Sequence, residues 1–535
     1  MTGVLCTSGS WTTAPRAPGH RARRRSSLST ISYTPQKWRP EQVTITEPSV
    51  IRRAIGAAAI GNITEWYDFG VYGYLQVTIE GVFLPKNAGA AGAIIVAALF
   101  AVAFLVRPLG GMFFGPLADR IGRKSVLATT MIMMALGTFL IGVLPDYATI
   151  GLAAPFLLLA CRLIQGFSTG GEYGNAMAFI AEYAPDRRRG FFGSLLEVGT
   201  FGGYVLGASV ATIMTAILTQ DQLLSWGWRL PFFVALPLGL VGVYLRSKLE
   251  DTPAYRELEK QQDAEAKAKA EEKKAAKKSG APASSEAGGE KKGRGEIKGI
   301  LRLWPNLLAC MGLVLAWNVT NYMLTAFMPQ FFPMIREYQG SGGVSDLASS
   351  ILQIIVMVMC LILIPVIGRL SDRVGRKAVV RAGSIALIVL SIPSVLLIRG
   401  NSDVSVLFGL LIMGLSLICF SATMPSTLPS LFPTAVRAGA LSISFNVAIS
   451  LFGGTTSTVM TSLVTWTHFL MWPAIYLMAA GVIGLICVHI VPESNGRPLW
   501  GSKPAASDRK EATAHAKELS EEAEAFVLAQ RAGAH

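Results

Sequence analysis

Long apolar runs alternate with short basic clusters along the 535 residues of this chain. Ala88 to Val106 carries no charge, and neither do Ser125 to Pro145, Leu347 to Gly368 or Phe469 to Pro492. A helix needs about 20 mainly apolar residues to cross a bilayer. Segments of that kind are centred near residues 66, 100, 135, 165, 205, 238, 315, 358, 389, 415, 450 and 481. The pattern predicts an all-α integral membrane protein with twelve transmembrane helices. An even number of spans puts both termini on one side of the bilayer.

Lys and Arg in the short loops set the orientation. One set of loops carries Arg120, Arg123, Lys124, Arg187 to Arg189, Arg369, Arg373, Arg376, Lys377 and Arg437. The opposite set offers only Lys86, Arg336 and Arg399. The basic side is expected to be cytoplasmic, which places both termini and the long central loop there, in a multi-pass protein of the plasma membrane. The predicted organisation is a disordered basic tail (1–49), a six-helix bundle (50–249), a cytoplasmic linker (250–297), a second six-helix bundle (298–493) and a C-terminal tail (494–535). Residues 1–49 are rich in Arg, Ser, Thr and Pro and hold no apolar h-region of a signal peptide. Glu257 to Lys278, dense in Ala, Glu and Lys, reads as a solvated helix.

Composition agrees with the pattern. Hydrophobic residues make up 51% and charged residues 15%, against about one-quarter charged in soluble proteins. The net charge of +14 falls mostly in loops and tails, so it reports topology and not nucleic-acid binding. The six cysteines show no close pairing, and no histidine pair has metal-ligand spacing. No phosphate-binding Gly-rich loop is present. Neither a cofactor nor a metal nor an enzymatic constellation is expected.

The halves repeat. Gly115-Pro-Leu-Ala-Asp119-Arg120-Ile-Gly122-Arg123-Lys124 follows the second span, and Gly368-Arg-Leu-Ser-Asp372-Arg373-Val-Gly375-Arg376-Lys377 follows the eighth. Pro185 with Arg189 is echoed by Pro433 with Arg437 after the fourth and tenth. Two echoes in register indicate a duplicated six-helix unit. The duplicated loop resembles the signature of the major facilitator superfamily, and Arg162-Leu-Ile-Gln165-Gly166 resembles its second signature. Gly61-Asn-Ile-Thr-Glu65-Trp66-Tyr67-Asp68-Phe69, Arg107-Pro108 and Gln165-Gly-Phe-Ser-Thr-Gly-Gly-Glu172-Tyr173 resemble the metabolite:proton symporters. Asn318-Val-Thr-Asn321-Tyr322 and Ser426-Thr-Leu-Pro-Ser-Leu-Phe-Pro433 resemble the proline/glycine betaine group within them. The resemblance, over about 50–500, implies the major facilitator fold, alternating access and proton-driven uptake of an osmoprotectant.

Charges inside a span cost a few kcal/mol or more and face partners or a water path. Glu65 and Asp68 share a face of the first span with Tyr72. They either share a proton, meet a cationic group, or form ion pairs that hold helices together. Arg162 in the fourth span either neutralises one of them, binds a substrate carboxylate or swaps partners. Gln165 and Glu172 lie further along, Glu172 about 15 Å from Arg162 on a continuous helix, as a second proton relay or a packing group. Asn318, Asn321, Tyr322 and Thr325 form one polar stripe, either cavity lining or packing glue. Arg107 and Glu197 read as gate ion pairs with the signature loops, and Asp119, Arg120, Arg123, Asp372, Arg373 and Arg376 as the gate itself. Aromatic faces suit a quaternary ammonium, and a single mid-membrane arginine suits one carboxylate.

The expected partners are therefore the bilayer, a small substrate and protons, with a monomeric transport unit and no nucleic acid. Rival readings are an organic-acid symporter (shikimate, 2-oxoglutarate or citrate type), a drug antiporter and a non-transporting sensor. Ala512, Ala516, Leu519, Ala523 and Phe526 follow a heptad spacing over only two heptads, too short for a stable coiled coil. Deleting 257–292, a charged stretch without an apolar face, is expected to leave insertion and basal transport intact. Fluorescence-detected gel filtration and vesicle uptake check this, and loss of insertion contradicts it.

Overall fold

The computed structural model describes residues 37–46, 48–85, 89–121, 123–170, 172–247, 303–339, 343–434 and 436–532. Residues 1–36 of the expected tail and the whole linker 250–297 lie outside them. Twelve membrane-length helical runs follow in order. They are α1 (Pro48–Tyr74), α2 (Ala90–Leu105, resuming as Arg107–Ile121), α3 (Arg123–Val143), α4 (Ala153–Thr169, resuming as Glu172–Tyr183), α5 (Arg189–Ile217) and α6 (Arg229–Ser247). The second half holds α7 (Trp304–Tyr322, a π-helical turn Met323–Phe327, then Met328–Gln339), α8 (Asp346–Val374), α9 (Arg376–Ile398) and α10 (Asp403–Ser421). It ends with α11 (Arg437–Ala448, a π-helical turn Ile449–Gly453, then Thr456–Thr467) and α12 (Trp472–Ile490). Eight helices among the described residues are long and apolar enough to cross a membrane by length and composition alone. α1 is not one of them, since it carries buried polar groups.

Packing repeats between the halves. In the first, α1 packs on α5 and α6, α3 on α4 and α6, and α2 on α4. In the second, α7 packs on α11 and α12, α9 on α10 and α12, and α8 on α10. These are the same five pairings shifted by six helices, the structural form of the duplicated loop. The halves meet along α5 with α8, α2 with α11, and α4 with α11. Polarity is arranged inside out relative to a soluble protein. Ile217, Leu240, Ile362, Val366, Val389 and Phe408 are more than half exposed, while Asp68, Arg107, Arg162 and Glu197 are at most 2% exposed. Outward apolar side chains suit lipid, and the polar groups gather where helices cover them.

The N-terminal tail departs from expectation. Thr44–Ile45 (β1) pairs in parallel with Ala505–Ala506 (β2), so residues 37–46 of the segment expected to be disordered are ordered by the other end of the chain. A helix, α13 (Arg509–Ala532), follows. The heptad positions Ala512, Ala516, Leu519 and Ala523 are buried, Ala512 and Ala516 in a cluster with Val43, Ala506 and Trp38 of the same chain; Phe526 lies outside the described side chains. Three alanines make a poor dimer core but let a helix lie close to backbone. His515 Nε2 lies 3.0 Å from Asp186 Oδ2, beyond α4, and Glu518 pairs with Arg187.

α5 owes its seat on α1 to a small-residue ladder. A Cβ on Gly203 would lie 2.6 Å from the Ile63 carbonyl oxygen, and one on Gly207 2.6 Å from that of Tyr67. Gly202, on the next face, meets nothing closer than 3.4 Å. Gly203→Leu should therefore lower the melting temperature of the purified protein by several degrees or prevent folding. Gly202→Leu should shift it much less, and equal shifts would remove the ladder from the argument.

Candidate functional site

Asp68 on α1 and Arg162 on α4 meet in the middle of the first bundle. Arg162 Nη1 donates to Asp68 Oδ2 at 3.2 Å and to Gln165 Oε1 at 2.8 Å, and its Nε to the Leu99 carbonyl at 3.4 Å. Gln165 Nε2 donates to Asp68 Oδ1 at 2.9 Å and to Thr138 Oγ1 at 2.8 Å. The triangle is closed, and all three side chains are at most 1% exposed. The Arg162 guanidinium lies 4.2 Å from the Tyr72 ring centroid, and Tyr72 Oη donates to the Val96 carbonyl at 3.3 Å. Gly166, one residue beyond Gln165, lets α4 approach α2 until a Cβ would overlap the Ala103 carbonyl. That contact fixes the height of Arg162 and Gln165 relative to α1.

A second buried pair was not legible in the sequence. Arg107 Nη2 reaches Glu65 Oε1 at 3.4 Å, with both side chains at most 3% exposed. Arg107 was expected at the end of its span with a signature loop as partner. The helix instead resumes at Arg107 and runs on to Ile121, which leaves the residue inside the bundle. Its guanidinium sits 4.6 Å from the ring centroid of Phe104 and 5.0 Å from that of Phe69. Glu197 also departs from the loop-pairing expectation. It accepts from Tyr173 and, at 3.1 Å, from Thr200. Trp66 Nε1 donates to Asn62, which donates to Thr200 at 2.7 Å. This chain runs from the central tryptophan to Glu197, about two turns inside α5 from its start at Arg189. The sequence carried no signal for Asn62, Thr200 or Tyr173 as members.

The second half contributes neutral groups. Asn318, Asn321 and Tyr322 are at most 4% exposed. Asn318 Nδ2 donates back to the Val314 carbonyl, and Asn321 Oδ1 has no hydrogen-bond partner. The Tyr322 ring lies 5.0 Å from Phe104, 6.1 Å from Phe100 and 6.3 Å from Trp66 between centroids. The π-helical turn of α11 packs on α7 just before the latter's own π-helical turn, since a Cβ on Gly453 would lie 3.0 Å from both Asn318 and Tyr322. Such turns locally release a helix from its regular ladder. Glu172 is not displaced along a continuous helix, because α4 breaks before it. Together with Glu65, Thr64 and Thr138 it lines a cavity of about 10 Å³ open to a water centre, room for one water.

Among the described residues, contacts cross between the halves at both ends of their interface. At the basic end Asp372 accepts from the backbone N–H groups of Gly190 (2.7 Å) and Phe191 (2.8 Å) at the start of α5. Arg376 is buried, donating to the carbonyl and hydroxyl of Ser494 and, at 3.4 Å, to Asp372. Arg437 on α11 pairs with Glu182 on α4 at 2.6 Å. Arg373 is exposed. In the first copy of the motif, Asp119, Arg120 and Arg123 lie outside the described side chains. At the opposite end Gln330 on α7 donates to Gln76 and accepts from Ser457 and Thr461 on α11, and Gln76 donates to the Ala326 carbonyl at 3.0 Å.

Comparison with known proteins bears on this arrangement. The sequence profile described as "Sugar (and other) transporter" matches residues 54–503. A relative from Salmonella typhimurium named "Proline/betaine transporter" is 44% identical over 88% of this chain and 89% of its own. One from Corynebacterium glutamicum named "Ectoine/proline transporter ProP" is 38% identical over 90% and 92%. Among solved structures, the proton:xylose symporter XylE aligns with a TM-score of 0.65 at 18% identity, covering 84% of this chain and 98% of that one. The last figure speaks for the fold alone, and it matches the twelve helices and the doubled packing described above. With a family profile spanning most of the chain and relatives aligned nearly end to end, this protein belongs to the Sugar (and other) transporter family and has the major facilitator fold.

Proposed function

We propose that the protein takes up a small zwitterionic osmolyte of the proline or glycine betaine type together with a proton. It does so across the plasma membrane with both termini in the cytoplasm, as a monomeric unit. The observation that carries the reading is the closed Asp68–Arg162–Gln165 triangle, at the level where an aromatic wall from both halves comes together. The names of the relatives support the substrate class. A proton on Asp68 cancels the charge that holds Arg162 Nη1, and the guanidinium is left with Gln165 and the Leu99 carbonyl. The protonated and ionised triangles thus favour different arrangements of α1 and α4. The two six-helix halves rock about this level, opening the Asp372 closure in one state and the Gln76–Gln330 closure in the other.

A second reading, uptake of an organic acid, draws on the second buried arginine. Each arginine has its own carboxylate, however, so the fixed charge of the four groups sums to zero. Two pairs without net charge, with Glu172 and Glu197 nearby, suit a zwitterion better than a di- or tricarboxylate.

Proteoliposomes loaded with labelled proline, glycine betaine, shikimate or 2-oxoglutarate test this reading. Proline and betaine should exchange and, with acid outside, accumulate; accumulation of an organic acid instead overturns the substrate class. Asp68→Asn should abolish accumulation while counterflow persists, because exchange needs the cavity but not a titrating carboxylate. Equal uphill uptake by that variant would contradict the role of Asp68. Asp372→Ala removes the cap on α5, worth about 0.5–2 kcal/mol, so the basic end should open more often. Ser194→Cys, buried at that contact, should then react with a permeant maleimide about 2- to 30-fold faster than with Asp372 present. An unchanged rate would remove Asp372 from the gate.

A further inference from the structure

The two buried arginines are not equivalent. Arg162 spends Nη1 on Asp68 and Gln165 and Nε on the Leu99 carbonyl, leaving only Nη2 without an acceptor. Arg107 is wholly buried, makes one long contact to Glu65, and has no acceptor at either Nε or Nη1. Buried donors on a charged group are costly to leave unmade. The rings of Phe104, Phe69 and Trp66 surround this guanidinium at 4.6, 5.0 and 5.6 Å from its Cζ. They shield it from water without accepting as an oxygen would. The ring that closes over this sleeve, Tyr322, comes from α7 of the other half. Parting the halves therefore uncovers Arg107 at the interface.

We propose that Arg107 is the anchor for the substrate's carboxylate, with the ammonium of the same zwitterion held against the faces of Tyr322 and Trp66. This rests on the osmolyte reading above and assigns its anion site to a residue that the sequence reading gave to the gate and that the Asp68–Arg162 triangle does not include. A ligand carboxylate supplies the missing acceptor and converts open donors into charge-assisted hydrogen bonds. The aromatic faces beside it take a cation bearing methyl groups or a pyrrolidine ring. Arg162, with its donors committed, stays with Asp68 as the coupling pair. Asn321 Oδ1, buried and without a partner on the same helix as Tyr322, is placed to take the N–H of a secondary ammonium such as that of proline.

The test compares glycine betaine with its methyl ester, which keeps the cation and loses the anion, on the purified full-length protein by calorimetric titration. The wild-type protein should prefer betaine. Arg107→Gln should weaken betaine at least tenfold and the ester little, collapsing the preference, whereas Arg162→Gln should keep it. Because removing one partner of a buried pair can unfold a protein, Glu65→Gln/Arg107→Gln is measured alongside, with the same collapse expected. A retained preference in both Arg107 variants overturns the assignment, as does equal weakening of both ligands, the mark of a purely structural arginine. Binding of neither betaine nor proline by the wild-type protein overturns the osmolyte reading, and this inference with it.

Discussion

Two buried carboxylate–guanidinium pairs in one half of a membrane bundle set the terms for the rest of the molecule. Removing a carboxylate or a guanidinium from water costs several kcal/mol, and only close, hydrogen-bonded pairing offsets it. Asp68 meets that condition with two donors, Gln165 and Arg162. The Arg107–Glu65 pair meets it less well, at 3.4 Å with donors left over. The helices must hold these partners at fixed heights, and the glycines of α4 and α5 do so by bringing backbones into contact where a larger residue would push them apart. The close packing of α1, α2, α4 and α5 and the pairing of the charges are therefore one constraint seen from two sides.

Duplication supplies the frame and its breaking supplies the site. The five helix pairings are the same in both halves, yet the four central charges all lie in the first. The second half offers Asn318, Asn321 and Tyr322 and a π-helical turn in each of α7 and α11. One half thus holds the charged pairs, and the other sets neutral groups and aromatic faces against them.

Closure at the two ends uses different chemistry. The basic end relies on a carboxylate capping the start of a helix from the other half, favourable because the exposed N–H groups and the helix dipole both attract negative charge. The opposite end relies on amides and hydroxyls, Gln76, Gln330, Ser457 and Thr461. The terminal segments are added to the basic end. Arg376 and Arg437 hold the chain after α12 through its carbonyls at Ser494 and Trp500, and Arg189 holds it at Arg497. Arginines of both halves thus grip one strap.

The sequence by itself determined the spans, because crossing hydrocarbon depends on a run of apolar residues and each run can be read where it lies. It also determined the duplication, from two loops in register, and it singled out Asp68, Arg162 and Gln165, because a polar group inside such a run is conspicuous. Tertiary structure alone decided who meets whom. Arg107 looked like an end residue because its apolar run stops at Val106, and only the continuation of the helix to Ile121 placed it beside Glu65. The acceptor role of Asp372 was invisible because its donors are backbone N–H groups, which every sequence has. The heptad on α13 fixed which face is buried but not against what, since a stripe of alanines fits a partner helix or a neighbouring backbone equally well. Contacts between residues hundreds of positions apart depend on how far each helix slides along its neighbour, and that register is set by packing of whole faces, not by any local pattern.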